Sequence, residues 1–169
     1  MSRLDSFIRR VSAQRDGLNW AVPIVSSVGG AVLELGLGNG RTYDHLRQLF
    51  PDRDIYVFDR HVAAHPDCIP DDDHMIIGDI FETLPKALEI IGQTAAFIHS
   101  DIGSGDAGSN AHIAAFLGQT IPLLTTPGAL VLSDQDMGLT GWERPTLPDT
   151  IPPGRYFTYR KPFDAPTLS

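Results

Sequence analysis

The sequence holds a single cysteine, Cys68, among 169 residues. No internal disulfide can close, and no cysteine-based metal centre can form. That usage fits a reducing compartment, so a cytoplasmic setting is expected. Positive charge is also scarce: 13 Lys+Arg stand against 21 Asp+Glu, leaving a net charge of −8 at pH 7. Such a surface repels phosphate backbones, and Arg3, Arg9, Arg10 and Arg15 are too thin a cluster to offset it, so no nucleic-acid partner is expected. No run approaches the ~18 apolar residues of a membrane span. The opening Met-Ser-Arg-Leu-Asp has no apolar stretch behind it, so neither a secretory signal nor a membrane partner is expected.

What is present is ordinary globular stock, 42% hydrophobic and 20% charged, in a length that suits one domain over 1–169. Three parts are visible: a helical segment over 1–30, an alternating core over 31–136, and a proline-rich arm with a last strand over 137–169. Leu4, Phe7, Ile8 and Val11 recur at helical spacing behind a capping Ser2, and Asp16-Gly17 reads as the break. A second amphipathic stretch runs through Trp20 and Val25, interrupted at Pro23 and closed by Gly29-Gly30.

From residue 31 the pattern becomes strand, helix, strand. Short apolar runs at 31–35, 55–58, 75–77, 95–98 and 129–132 read as strands. Helices are expected over 41–50, 81–91 and 111–124. Strands this continuously apolar belong to a parallel sheet buried on both faces, which makes the fold class α/β, doubly wound, with helices on both faces. The alternating Arg155–Arg160 reads as a late antiparallel edge strand, and the Asp71-Asp72-Asp73 run as a solvated turn.

The informative segment is Glu34-Leu35-Gly36-Leu37-Gly38-Asn39-Gly40-Arg41. Glycines between a first strand and a helix let a ligand approach backbone N–H groups closely. A merely tight turn needs one glycine or two; three at alternate positions point to a ligand. A dinucleotide fingerprint wants glycine where Arg41 stands, and no Gly-Lys-Ser or Gly-Lys-Thr completes a P-loop. Glu34 would repel a pyrophosphate, yet it suits a ligand carrying an ammonium group. Ile55–Asp59 then ends a second strand in an acid nineteen residues after Gly40, and such an acid can accept both ribose hydroxyls. Gly78-Asp79-Ile80-Phe81 follows the third strand. Gly103–Gly108 also matches the dinucleotide pattern, but it follows the fourth strand and reads better as a flexible loop.

This ordered set, over residues 31 to about 134, resembles the class I S-adenosylmethionine-dependent methyltransferases. The resemblance implies a Rossmann-like sheet and S-adenosyl-L-methionine as cofactor, with S-adenosyl-L-homocysteine as product. It assigns the cofactor to Glu34, Gly36, Leu37, Gly38, Asn39, Gly40, Asp59, Arg60, Asp79, Ile80, Phe81 and Asp101. Asp59 would take the ribose, Arg60 would flank the adenine, and Asp79 would bond the adenine amino group or cap the helix that follows. A non-catalytic nucleotide-binding module and a nicotinamide oxidoreductase are the alternatives.

The acceptor is expected to be a small molecule over the fourth strand's carboxyl end, at His99-Ser100-Asp101. Asp101 and His99 are the catalytic candidates, His99 being weighed as a base against a packed strand histidine. The family's Asn/Asp-Pro-Pro-Tyr motif for amine acceptors is absent. Asp101, Asp134 and Gln135 resemble the magnesium ligands of catechol-type O-methyltransferases, with Gln135 where that family has Asn; a metal-free site is expected, with magnesium as the alternative. A single terminal strand leaves an edge open, so a homo-oligomer is expected, with Trp142 and Tyr156 available either for the contact or for burial within the chain.

Overall fold

The computed structural model describes residues 2–164. Five strands run parallel: β1 (Ala31–Leu35), β2 (Ile55–Asp59), β3 (Met75–Ile77), β4 (Ala95–Ser100) and β5 (Thr125–Ser133). β6 (Phe157–Arg160) pairs antiparallel with β5 and closes the edge, giving the order β3-β2-β1-β4-β5-β6. Every residue of β1 and β4 is buried, because helices cover both faces of the sheet.

Helix α1 (Arg3–Val25) lays Ala13, Leu18, Ala21 and Val25 on one face, joined there by Leu46 of α2 (Arg41–Leu49). On the other face α5 (Ala107–Leu124) contributes Leu117, Ile121 and Leu124. Short α3 (Ile80–Thr83) and α4 (Ala87–Ile91) follow β3. The chain leaves β1 toward β2 and β3, then returns to β4 on the other side of β1. Loops after β1 and β4 therefore diverge, which opens a crevice at the strands' carboxyl ends.

Several expectations need correction. Asp16-Gly17 does not break the first helix, and Pro23 does not interrupt a second; α1 runs unbroken through both. Gly17 is buried, and a Cβ on it would press within 2.8 Å of a Leu132 methyl, so the glycine serves the close approach of α1 to β5. Pro23 removes one N–H from the ladder in the last turn, and the helix still runs on to Val25. The helix expected over 81–91 is split by Pro85, which opens a 3₁₀ turn over Leu84–Lys86 between α3 and α4. Helix α5 begins at Ala107, capped by Asp106, so the last two residues of the 103–108 string are helical.

Ser2 caps α1 as expected, completing a capping box with Asp5. Of the two side chains weighed for self-association or burial, Tyr156 is buried and Trp142 packs on the core. Glu143 of the arm forms an isolated antiparallel bridge to Arg160 at the end of β6. Among the described residues, no helix is long and apolar enough to cross a membrane.

Candidate active site

The loop from β1 to α2 sits over the crevice because its glycines take up left-handed backbone, with φ of +94° at Gly36, +53° at Gly38 and +82° at Gly40. Gly40 occupies the N-cap of α2, and a Cβ there would run into Cys68. Asp59, at the end of β2, draws the loop across: its Oδ2 accepts the N–H groups of Leu37 at 2.8 Å and Gly38 at 3.2 Å. Oδ1 accepts only a long bond from His61 N–H, at 3.3 Å.

Beneath the loop lies an open cavity of about 670 Å³, within the ~300–1,000 Å³ of small-molecule sites. Glu34, Gly36, Leu37, Gly38, Asn39, Asp59, Arg60, Ile80, Phe81 and Asp101 line it, as do Ile102, Gly103 and Ser104 of the loop after β4. Gly40, Asp79 and His99 lie outside the lining. Asp79 caps α3 through Phe81 N–H at 3.0 Å, and its other oxygen takes the Arg60 guanidinium at 2.8 Å. Phe81 stacks on His112 of α5, with ring centroids 5.0 Å apart, so an aromatic wall closes one end.

Glu34 is not the free carboxylate that its place suggested. It is 1% exposed; Oε1 accepts the Thr42 hydroxyl, and Oε2 lies 2.6 Å from Nδ1 of the wholly buried His99. Burial pulls the His99 imidazole down, but the Glu34 charge and its hydrogen bond, with the charges of Asp101 and Asp134 behind them, together hold His99 above its ordinary value. His99 is fully buried and stands behind the cavity wall, packed in its strand. Each Glu34 oxygen keeps a lone pair, so Glu34 can still accept from a ligand above it.

Asp101 is fixed by three partners that the sequence did not announce. Gln14 of α1 donates to Oδ2, as do the Tyr156 hydroxyl at 3.1 Å and Arg155 at 3.0 Å. Burial pushes this carboxyl up, but the Arg155 guanidinium and then His99 bring it below its ordinary value. Burial and then the Asp101 charge push Asp134 up. Burial likewise raises the Tyr156 hydroxyl.

Phe58 and Gly78, Arg10 and Gln14 of α1, Arg41 and Thr42 of α2, and Ser109, His112 and Ile113 of α5 complete the lining. Arg10 and Arg41 both lie over the Phe7 ring, 5.6 and 5.3 Å from its centroid. Arg15, Arg47, Arg60, Arg144 and Arg155 have carboxylate partners; among the described residues Arg10 and Arg41 have none. Nothing in the sequence marked Arg10, because it reaches the site only when α1 packs against the sheet.

A doubly wound sheet with a glycine cradle and a strand-end acid at its switch point is the frame of a class I methyltransferase. Residues 1–161 match the S-adenosyl-L-methionine methyltransferase family, and the chain belongs to it. The crystal structure of an S-adenosyl-L-methionine methyl transferase from Silicibacter pomeroyi DSS-3 is 44% identical, with a TM-score of 0.87 over 95% of this chain and 99% of that one. CalS11, a TDP-rhamnose 3′-O-methyltransferase of calicheamicin biosynthesis, shares the fold at 18% identity and a TM-score of 0.66, over 94% of this chain and 81% of its own. Human methyltransferase-like protein 13, solved with S-adenosylhomocysteine, does so at 16% identity and 0.54, over 98% and 84%. Comparison with curated proteins finds no match. The protein is an S-adenosylmethionine-dependent methyltransferase, and the nicotinamide alternative falls away.

Proposed function

We propose that this methyltransferase acts on a small-molecule acceptor, with the cofactor lying along the cavity from the glycine loop to Phe81. The observation that carries the reading is the cavity's divided chemistry. At the loop end, two guanidiniums without carboxylate partners, Arg10 and Arg41, stand near the carboxylates Glu34 and Asp101. An amino acid's carboxylate and ammonium need that pairing of charges. At the other end Ile80, Phe81 and His112 offer apolar and aromatic walls to a base, and Asp59 Oδ1 stands between the two ends with acceptor capacity to spare. Asp79 works through Arg60, whose guanidinium it holds at the cavity's edge.

Bound S-adenosyl-L-methionine supplies a methyl group already activated on a sulfonium. The chain's residues therefore have alignment as their main task, and alignment is worth roughly 7–11 kcal/mol of a barrier. Asp101, kept ionised by Arg155, holds a fixed negative charge where the cavity meets the 102–104 loop. Ser104 and Ser109 border the same opening and offer hydroxyls to an acceptor. The name of CalS11 makes a hydroxyl-bearing sugar the first acceptor class to try.

Calorimetric titration tests the cofactor site. Heat with S-adenosylhomocysteine and none with NAD is expected; the opposite result removes the reading. Formation of S-adenosylhomocysteine across a panel of sugars, phenols and amines then tests the acceptor. Binding without turnover on any of them would favour a non-catalytic module.

A further inference from the structure

The carboxyl ends of β4 and β5 bring two carboxylates together. Ser100 and Ser133 are register partners on adjacent strands, and Asp101 and Asp134 each follow by one residue. Asp134 N–H donates to Ser100 O at 3.0 Å, so the two strand ends stay paired up to the acids. Two neighbouring acids and an amide, Gln135, are the donor types that a magnesium ion takes. In this chain they do not fit one.

A carboxylate oxygen has two lone pairs to offer. Asp101 Oδ2 already faces three donors: Gln14, Tyr156 and Arg155. Its Oδ1 takes the same Arg155 nitrogen at 3.2 Å. Asp134 Oδ2 accepts Gly103 N–H at 2.9 Å and the Gln135 amide N–H at 3.2 Å. Gln135 thus turns a donor toward the pair, and a donor cannot ligate a cation. A Cβ at Gly103 would collide with both Asp134 and Gln135, so only glycine brings its N–H this close. The remaining oxygen, Asp134 Oδ1, has no accessible surface and no partner.

We propose that Arg155 is the resident cation of this carboxylate pair: a guanidinium carried by the C-terminal arm occupies Asp101 in place of a divalent metal, and the chain's methyl transfer needs none. Arg155 comes from the segment just before β6, 54 residues from Asp101, and contacts both Asp101 oxygens. The Tyr156 hydroxyl beside it fixes the same carboxylate from within the core. An acceptor then has no metal to chelate, so adjacent hydroxyls are not a requirement. That consequence for the acceptor rests on the methyltransferase reading above; the absence of a cation site does not.

The test is therefore metal binding, with Mn²⁺ as probe, followed by electron paramagnetic resonance and by thermal melts in Mn²⁺, Mg²⁺ or chelator. Wild-type protein and Arg155→Lys should bind no Mn²⁺ at this pair, and their melts should not differ between metal and chelator. Arg155→Ala uncovers Asp101 and should gain Mn²⁺ affinity on the order of tenfold, since it removes a unit charge at contact distance. The gain should vanish in Arg155→Ala/Asp134→Asn. Mn²⁺ bound by the wild type and lost in Asp134→Asn overturns the proposal, and so does folded Arg155→Ala that takes up no more Mn²⁺ than wild type. If Arg155→Ala does not fold, the comparison of wild type with Asp134→Asn and Arg155→Lys still decides.

Discussion

Glu34 and His99 face each other directly across the β1–β4 pair, with Nδ1 and Oε2 2.6 Å apart and both side chains out of water. The pair forms the floor under the glycine loop. With its charge attracting the proton, Glu34 raises the His99 pKa above the ordinary value despite burial. A group whose folded pKa is raised contributes stability that is full below the unfolded value, near 6.5, and is lost as pH rises through the folded one. Melts taken from pH 6 upward should therefore fall. In Glu34→Gln the charge is gone, so that slope should flatten. Glu34→Ala, which strands a buried imidazole, should cost about 3–5 kcal/mol. A wild-type melt that does not decline as pH rises above 6 would count against an ionised pair.

Asp59 has two tasks, and two substitutions separate them. Asp59→Ala removes the acceptor for Leu37 and Gly38 N–H together with the oxygen offered to the ribose. A hydrogen bond to a charged group is worth about 1.5–3 kcal/mol, so S-adenosylhomocysteine affinity should fall on the order of a hundredfold. Asp59→Asn keeps one acceptor oxygen for the loop and should lose less. Amide hydrogen exchange at Leu37 and Gly38 should quicken in Asp59→Ala and stay near wild type in Asp59→Asn. Unchanged affinity in both variants would place the ribose elsewhere.

Much of this site was legible because its signals are local. Gly36, Gly38 and Gly40 announce left-handed backbone, and Asp59 stands at the end of a strand that its own apolar run defines. β3 needed only Met75–Ile77 between two turns. The unread part depends on distance along the chain. Gln14, Asp101, Arg155 and Tyr156 meet only after α1 and the proline-rich arm have packed, and no spacing encodes that meeting. Gly17 misled for a related reason: its small size serves Leu132, a strand residue 115 positions away, and not a turn.

Gly17→Ala weighs those two effects directly. Alanine gains about 1 kcal/mol of helix propensity in an interior position. Its methyl, however, would sit 2.8 Å from a buried Leu132 methyl, and overpacking costs about 1–3 kcal/mol. The variant should be less stable, by about 1 kcal/mol. Adding Leu132→Val, which shortens the opposing side chain, should restore part of the loss. Denaturant unfolding of the four proteins in the cycle measures the coupling, and a Gly17→Ala protein more stable than wild type would show that α1 has room to move off β5.

Arg10 and Arg41 are the groups proposed for the cofactor's carboxylate, and the ligand itself offers the control. S-adenosylhomocysteine carries that carboxylate; 5′-methylthioadenosine has the same adenosine and sulfur without it. Both guanidiniums sit at an exposed rim over Phe7, so water and salt weaken what each contributes. An Arg10→Ala/Arg41→Ala protein should therefore bind S-adenosylhomocysteine on the order of tenfold more weakly, near the lower end for a charged hydrogen bond. Its affinity for 5′-methylthioadenosine should match wild type, because the Asp59 and Phe81 end is untouched. The loss for S-adenosylhomocysteine should also shrink as salt rises, as screening removes the same attraction from wild type. Equal losses for the two ligands would mean that the arginines shape the loop and do not meet a carboxylate. No loss for either would leave the pair free to receive an anionic acceptor, and Arg10 would then belong to the other half of the reaction.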